Sequence, residues 1–267
     1  MNSFIDFHNH CLPSFDDGSK SIDESLAMLR QAVASNITLI YVTPHSIPDS
    51  IFDPSLEEIR AKIEIIESLI CEHQLPIQVK YGSELRVNEH TLERIYDKNY
   101  IPYEDTDYVL LELTHQNIHS NVVNDIIDEL HYQQKKVLIA HPERYFLDKD
   151  EALQHCQKWL KQGVYLQINR TSLLKDHHPQ EREVAQALFN NALVHIIASD
   201  AHSAQNRRIL RLDDIYDQVC KTHGMDYADQ ILINNPVRLS LNEALLRPVL
   251  NQKRPIRSLF AFFNNKT

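Results

Sequence analysis

The chain opens on residues able to grip a metal ion. His8 and His10 stand one residue apart at the end of an apolar run, Phe4-Ile5-Asp6-Phe7, and Asp16-Asp17-Gly18 follows. In extended backbone alternate side chains share a face, so the two imidazoles project together and can hold one ion. Further donors recur downstream: His45 after Thr43-Pro44, Glu84 after Gly82-Ser83, then Glu112, His141, and Asp200 with His202. Imidazoles and carboxylates without a thiolate suit manganese, iron, zinc or magnesium, not a soft metal.

These donors need elements to position them, and the chain supplies a regular alternation. Short β-branched runs at Phe4 to Phe7, Thr38 to Thr43, Ile77 to Tyr81, Tyr108 to Leu113, Val137 to Ala140, Val164 to Ile168 and His195 to Ala198 predict strands buried on both faces. Helical spacing separates them. Ser21-Ile22-Asp23-Glu24 predicts a capping box, Asp53-Pro54 a second helix start, and Gly163 the close of the helix over Glu151 to Lys161. Helices are also expected over Val122 to Tyr132, over Gln180 to Asn190, and from Ile209 onward with a break at Asn235-Pro236. Seven such alternations imply a parallel sheet that closes into a distorted (β/α)7 barrel, and no eighth strand is visible.

Every donor named above then falls at the C-terminal end of a strand, the face where barrel enzymes carry their active sites. Together with Asp17, for which Asp16 is an alternative, they make nine candidate ligands. One zinc-like ion takes three or four protein ligands, so two or three ions fit better. Roughly six positive charges against four carboxylates favour three ions, and the excess suits a dianionic phosphate monoester. Arg144, three residues past His141, and Arg207, five past His202, would reach the rim of the same mouth as bidentate phosphate binders, with Arg208 as an alternative to Arg207. His115, His119, His131, His155, His177, His178 and His223 lie off the strand ends or within helices and read as surface or packing residues.

Bulk properties narrow the field. The 267 residues suffice for one barrel over 1–250, followed by a basic and aromatic tail, 251–267, containing Arg254, Arg257 and Leu259-Phe260-Ala261-Phe262-Phe263. That tail is expected to fold onto the barrel or a sister subunit, with docking to a partner or membrane surface as the other reading. A net charge of -10 argues against nucleic acid as partner. Four scattered cysteines form no CxxC pair, and no run is long enough for a membrane span, so a cytoplasmic protein is expected. A cysteine-dependent tyrosine phosphatase needs arginine six positions after its thiolate. Here those positions hold Asp17, Ile77, Gln162 and Asp226.

With these residues assembled, the sequence resembles the polymerase and histidinol phosphatase (PHP) superfamily, and within it the CpsB/CapC-type bacterial protein-tyrosine phosphatases of capsule and exopolysaccharide synthesis. IDFHNHCLPSFDDGSKSIDESLAM, YVTPHS, YGSELR, YVLLEL, VLIAHPERY, LQINRTSLL and HIIASDAHSAQNRR carry it in family order, and RPIRSLFAFF matches the ending of some members. The resemblance implies a three-metal, usually manganese-dependent centre held by His8, His10, Asp17, His45, Glu84, Glu112, His141, Asp200 and His202, with Arg144 and Arg207 at the phosphate. It implies as substrate the phosphotyrosine tail of a bacterial tyrosine kinase that controls polysaccharide export. Recruitment by that kinase to the inner face of the membrane, and self-association, are further expectations. Two departures stand out: Ser46-Ile47-Pro48-Asp49 follows His45 where relatives carry more His or Arg, and no glycine precedes Arg207.

Three rivals share part of this pattern. A small-molecule phosphatase acting on a compound such as histidinol phosphate would use every ligand. An amidohydrolase would place a modified lysine and a histidine where Glu112 and Asn169 stand. A non-catalytic docking protein would leave an intact ligand set without work to do.

Overall fold

Stretches rich in Ile, Val, Leu and Tyr become strands that pair in parallel throughout the described part of the molecule. The computed structural model describes residues 3–174 and 178–249; His177 and the tail over 251–267 lie outside the described residues. The strands are β1 (Phe4–Asp6), β2 (Ile37–Val42), β3 (His45–Ser46), β4 (Gln78–Tyr81), β5 (Glu84–Arg86), β6 (Tyr108–Glu112), β7 (Lys136–Ile139), β8 (Tyr165–Asn169) and β9 (Ile196–Ala198). They fall into two sheets, β1-β2-β4 and β3-β5-β6-β7-β8-β9.

The two sheets make one curled wall. β3 prolongs β2 beyond Thr43-Pro44, where proline has no N–H for the ladder, and β5 prolongs β4 beyond Gly82-Ser83. Across the break Gly82 N donates to Val42 O at 2.8 Å and Glu84 N to Pro44 O at 3.0 Å. The wall closes where the chain's beginning meets its last strand: Asp200 N donates to His8 O and His10 N to Ala201 O, both at 2.8 Å. Nine segments thus fill the seven positions of the expected distorted barrel.

Period-two alternation separates the barrel's inside from its outside. On β6, Tyr108 and Leu110 join the inner cluster, with Phe7, Tyr41, Tyr103, Leu138 and Ile196, while Val109 and Leu111 join the larger outer one. The outer cluster is completed by the apolar faces of α1 (Ile22–Ala34), α2 (Leu56–Glu72), α4 (Asn121–Tyr132), α5 (Lys149–Lys161), α6 (Pro179–Asn190) and α7 (Asp213–His223). Gly82 sits against this aromatic interior, where a Cβ would come within 2.6 Å of the Tyr103 ring.

Several expectations are corrected. The cap of α2 is Ser55, not Asp53: its hydroxyl accepts from Glu58 N at 3.2 Å and its own N–H donates to Glu58 Oε2 at 2.8 Å, a complete capping box. Asp53 instead pairs with Arg94 of α3 (Thr91–Tyr96), a short helix the sequence reading lacked. At α1 the Ser21 half of the box forms, but Glu24 reaches one residue further, accepting from Lys20 N at 3.0 Å. Gly163 does close α5, at φ +88. Beyond α8 (Met225–Asp229), a π-turn over Gln230–Asn234 runs directly into α9 (Asn235–Ser240), so Asn235-Pro236 continues the helical path. The helical reading ends at α9. Residues 241–249 cross the barrel's N-terminal end, where Asn242 Oδ1 accepts from Asp107 N at 3.0 Å and Glu243 O from the Tyr108 hydroxyl at 2.5 Å.

Candidate metal centre

All nine predicted donors converge at the C-terminal mouth. Glu84, at the start of β5, is their hub: its carboxylate lies 2.8 Å from His141 Nε2, 3.0 Å from His45 Nδ1, 3.3 Å from His8 Nε2 and 3.5 Å from His10 Nε2. Asp200 approaches His8 Nε2 and His202 Nδ1, both at 3.5 Å, and His10 Nε2 at 3.8 Å. Asp17 stands between His45 and His202 at 3.2 and 3.3 Å. Glu112 Oε2 is 3.8 Å from His45 Nδ1. Four groups of donors, His10-Asp17-His45-His202, His8-Glu84-His141, His8-His10-Asp200 and His45-Glu84-Glu112, each have ligand atoms within 4.8 Å of one another.

Geometry separates the two aspartates. Asp17 faces the cluster, whereas Asp16 lies behind it, 2.6 Å from His10 Nδ1. Their loop is held by Gly18, whose added Cβ would fall 2.1 Å from His10 O. Only glycine lets the backbone approach so closely.

The field in the mouth is strongly polarised. Burial pulls the His8 imidazole down, but Glu84 and Asp200 more than offset it and raise its pKa to about 9. At His45 burial is likewise outweighed, by Asp17 and Glu84, and the pKa rises to about 11. His10 goes the other way, to about 4, through burial and the neighbouring His202. Burial alone would raise Glu84 and Asp200. His8 and its neighbours hold Glu84 well below the usual carboxylate range, and Arg208 and His8 do so for Asp200.

Donor chemistry fits divalent cations. Behind His8, Nδ1 meets Gln167 Oε1 at 2.9 Å; Gln167 Nε2 donates to Asn169 Oδ1 at 2.8 Å; Asn169 Nδ2 donates to Asp200 Oδ2 at 2.6 Å. The carboxylate fixes the direction of this relay, so Gln167 presents an acceptor and Nδ1 of His8 carries a proton. Asp16 imposes the same tautomer on His10. The Nε2 lone pairs of both rings consequently face each other at 3.3 Å, between Glu84 and Asp200. Paired lone pairs amid carboxylates are complementary to a cation.

Around this centre are supports that the sequence reading missed. Arg86 forks Glu112, Nε to Oε2 at 2.6 Å and Nη2 to Oε1 at 2.9 Å. Period two could have shown it, since Arg86 follows Glu84 on the same face of β5. Asp6, pushed up to about 6 by burial, accepts from Ser199 N at 2.8 Å and Asn9 Nδ2 at 3.0 Å, bracing the seam between β1 and β9. Beside Asp200 and His202 opens a cleft of about 730 Å³, lined by Arg144, Asn169, Arg207 and Arg208 among others. Arg144 Nη1 lies 3.7 Å from Asp200 Oδ2, while Arg208 clamps Asp200 directly, Nη2 to Oδ1 at 2.6 Å and Nε to its carbonyl at 3.0 Å.

Together the closed seven-position barrel and its His/Asp/Glu mouth make a barrel with a candidate metal site. The model of the family "Capsular polysaccharide synthesis, CpsB/CapC" matches residues 4–240, and the chain belongs to that family. It is 26% identical over 262 residues to the tyrosine-protein phosphatase YwqE of Bacillus subtilis, covering 97% of this chain and 100% of YwqE. To the tyrosine-protein phosphatase CpsB of Streptococcus agalactiae it is 26% identical over 240 residues, covering 86% of this chain and 96% of the relative. Among solved structures, one from a study of YwqE from Bacillus subtilis and CpsB from Streptococcus pneumoniae, described as unique metal-dependent tyrosine phosphatases, superposes with a TM-score of 0.82 at 25% identity, covering 92% of this chain and 99% of the other.

Proposed function

We propose that this protein is a metal-dependent protein-tyrosine phosphatase. The observation that carries the proposal is the convergence of nine imidazole and carboxylate donors beside a cleft lined by three arginines. In this reading His8, His10, Asp17, His45, Glu84, Glu112, His141, Asp200 and His202 hold three divalent ions, manganese being the metal expected from the family. Bound there, such ions polarise phosphoryl oxygens and lower the pKa of an attacking water.

The chain's own residues do the rest. Arg144 and Arg207 grip the non-bridging phosphate oxygens from the cleft and orient phosphorus toward the mouth. Arg208, already engaged with Asp200, anchors that carboxylate. Glu84 spans the donor groups and keeps them in register. Tyrosine leaves as a phenolate whose conjugate acid ionises near pH 10, a fairly good leaving group, so no general acid is assigned. No covalent intermediate on a side chain is required.

The substrate in this reading is the phosphotyrosine tail of a tyrosine kinase that regulates capsular or exopolysaccharide synthesis, met at the cytoplasmic face of the membrane. Among the described residues no helix is long and apolar enough to cross a bilayer. The test is hydrolysis of a phosphotyrosine peptide with manganese, after chelation, and against histidinol phosphate. Manganese-dependent activity that prefers the peptide is expected. Activity surviving chelation, or a preference for histidinol phosphate, would sink the proposal.

A further inference from the structure

Among the described residues, one other group of donors stands together outside the barrel mouth: His119, Glu151 and His155, with ligand atoms within 4.8 Å of one another. None of the three belongs to the central nine. His119 lies in the connection between β6 and α4, and Glu151 and His155 lie one turn apart on α5, where side chains four residues apart share a face. Sequence spacing alone assigned both histidines to surface or packing, because nothing in the chain shows that residue 119 folds against residues 151 and 155.

We propose that these three residues form a second metal site, which takes one zinc-class divalent ion. Two imidazoles and a carboxylate are the donor set that holds zinc where a fourth position stays open to water. The site is partly built in advance. The His155 ring sits 5.4 Å from Phe146 and 6.1 Å from Trp159, and the His119 ring meets it edge-on at 5.0 Å. His119 Nε2 is 3.3 Å from Glu151 Oε1. Side chains of His119 and Glu151 remain 56% and 41% exposed, so an ion can enter and keep water ligands.

Such an ion would join two separate βα connections on the side of the barrel that carries the mouth. The connection after β6, which follows Glu112, would be fastened to the first two turns of α5, which follows the His141 segment. The site is therefore a brace on the rim, and needs no part in hydrolysis. The competing account is a polar contact between His119 and Glu151 alone, with no affinity for metal.

The molecule carries its own reporter. Trp159 is the single tryptophan, and its ring lies 6.1 Å from that of His155. Cu2+, which imidazole and carboxylate sites bind at least as tightly as zinc, should quench it on binding. Titration of the manganese-loaded full chain is expected to give saturable quenching of Trp159. Loss of a supporting partner costs about 10–100-fold in metal affinity, so loss of a ligand should move the midpoint at least about tenfold. That shift is expected in His119→Ala and in His155→Gln, with phosphatase activity unchanged. Zinc analysis after dialysis should show one ion fewer in His119→Ala than in the parent. His119 is exposed, so its variant tests the site without loosening the Phe146 and Trp159 packing. No saturable quenching in the parent, or an unshifted curve in a His119→Ala, Glu151→Gln double variant, would overturn the proposal.

Discussion

His8 and Asp200, each two residues past the end of the first and last strands of the barrel, are tied to each other through two amides of β8. The links measure 2.9 Å from His8 to Gln167, 2.8 Å from Gln167 to Asn169 and 2.6 Å from Asn169 to Asp200. β8 supplies no donor to the mouth, yet it sets which nitrogen of His8 is offered there. Asn169→Ala and Gln167→Leu are accordingly expected to weaken metal binding about 10–100-fold. Added metal should restore activity in both variants. Metal titration of activity, read beside metal content after dialysis, checks this; unchanged affinity in both would show the relay to be idle.

Gly18 is the tightest backbone approach in the mouth. A Cβ there meets His10 O at 2.1 Å and His10 Cβ at 2.4 Å, neither of which can swing aside. Gly18→Ala should cost about 1–3 kcal/mol, as overpacking does. It should also displace Asp16 and Asp17 together. The expected signature is a lowered Tm accompanied by lost metal, measured by thermal unfolding with and without manganese.

The three cleft arginines should separate by phenotype. Arg144→Ala and Arg207→Ala are expected to lower kcat/KM by about 100-fold, the scale for losing one donor to a charged transition state. Metal content should stay at the parental level. Arg208→Ala removes the clamp on Asp200 instead, so bound metal should fall along with activity. Steady-state kinetics paired with metal analysis distinguishes the two patterns; if Arg207→Ala loses metal and Arg208→Ala does not, the roles are reversed.

His195 sets an acid limit on stability away from the mouth. It lies just before β9, its Nδ1 accepting from Leu166 N at 3.1 Å, and burial, helped by Arg247, pulls its pKa down to about 3. Between pH 6.5 and pH 3 the unfolded chain therefore binds this proton and the folded chain does not, so stability falls as pH falls. At 1.36 kcal/mol per pH unit the loss is about 2 kcal/mol between pH 6.5 and 5. His195→Gln should flatten that limb of the stability profile, which urea unfolding at a series of pH values would reveal.

Strand positions and their donors were legible in the sequence because two signals coincide there, a β-branched run and a polar residue at its end. Glu112 closes Tyr108-Val109-Leu110-Leu111, and Asp200 follows Ile196-Ile197-Ala198, so each places itself. What was not legible depends on partners distant in the chain. Arg94 claims Asp53 and leaves the cap to Ser55, a competition that local sequence does not display. Helix α3 has only 6 residues, too few for periodicity to register. Gln167 and Asn169 look like ordinary strand polars until Asp200 and His8 are beside them. Asp16 and Asp17 are equivalent as neighbours in sequence, and only the turn at Gly18 sends one to the cluster and the other behind His10.

The seam between β1 and β9 makes the donor cluster depend on residues synthesised far apart in time. His8 and His10 emerge first during synthesis, but Asp200 and His202, which stand in donor groups with them, arrive 190 residues or so later, about ten seconds or more at ordinary ribosomal rates. Until then the seam is open, Asp6 lacks Ser199, and the early histidines have only Glu84 and its neighbours for company. A ribosome-bound or prematurely terminated chain would thus expose its histidines without the means to retain a full set of ions. If ions load as proposed, tight retention becomes a mark that only chains extended past His202 can carry.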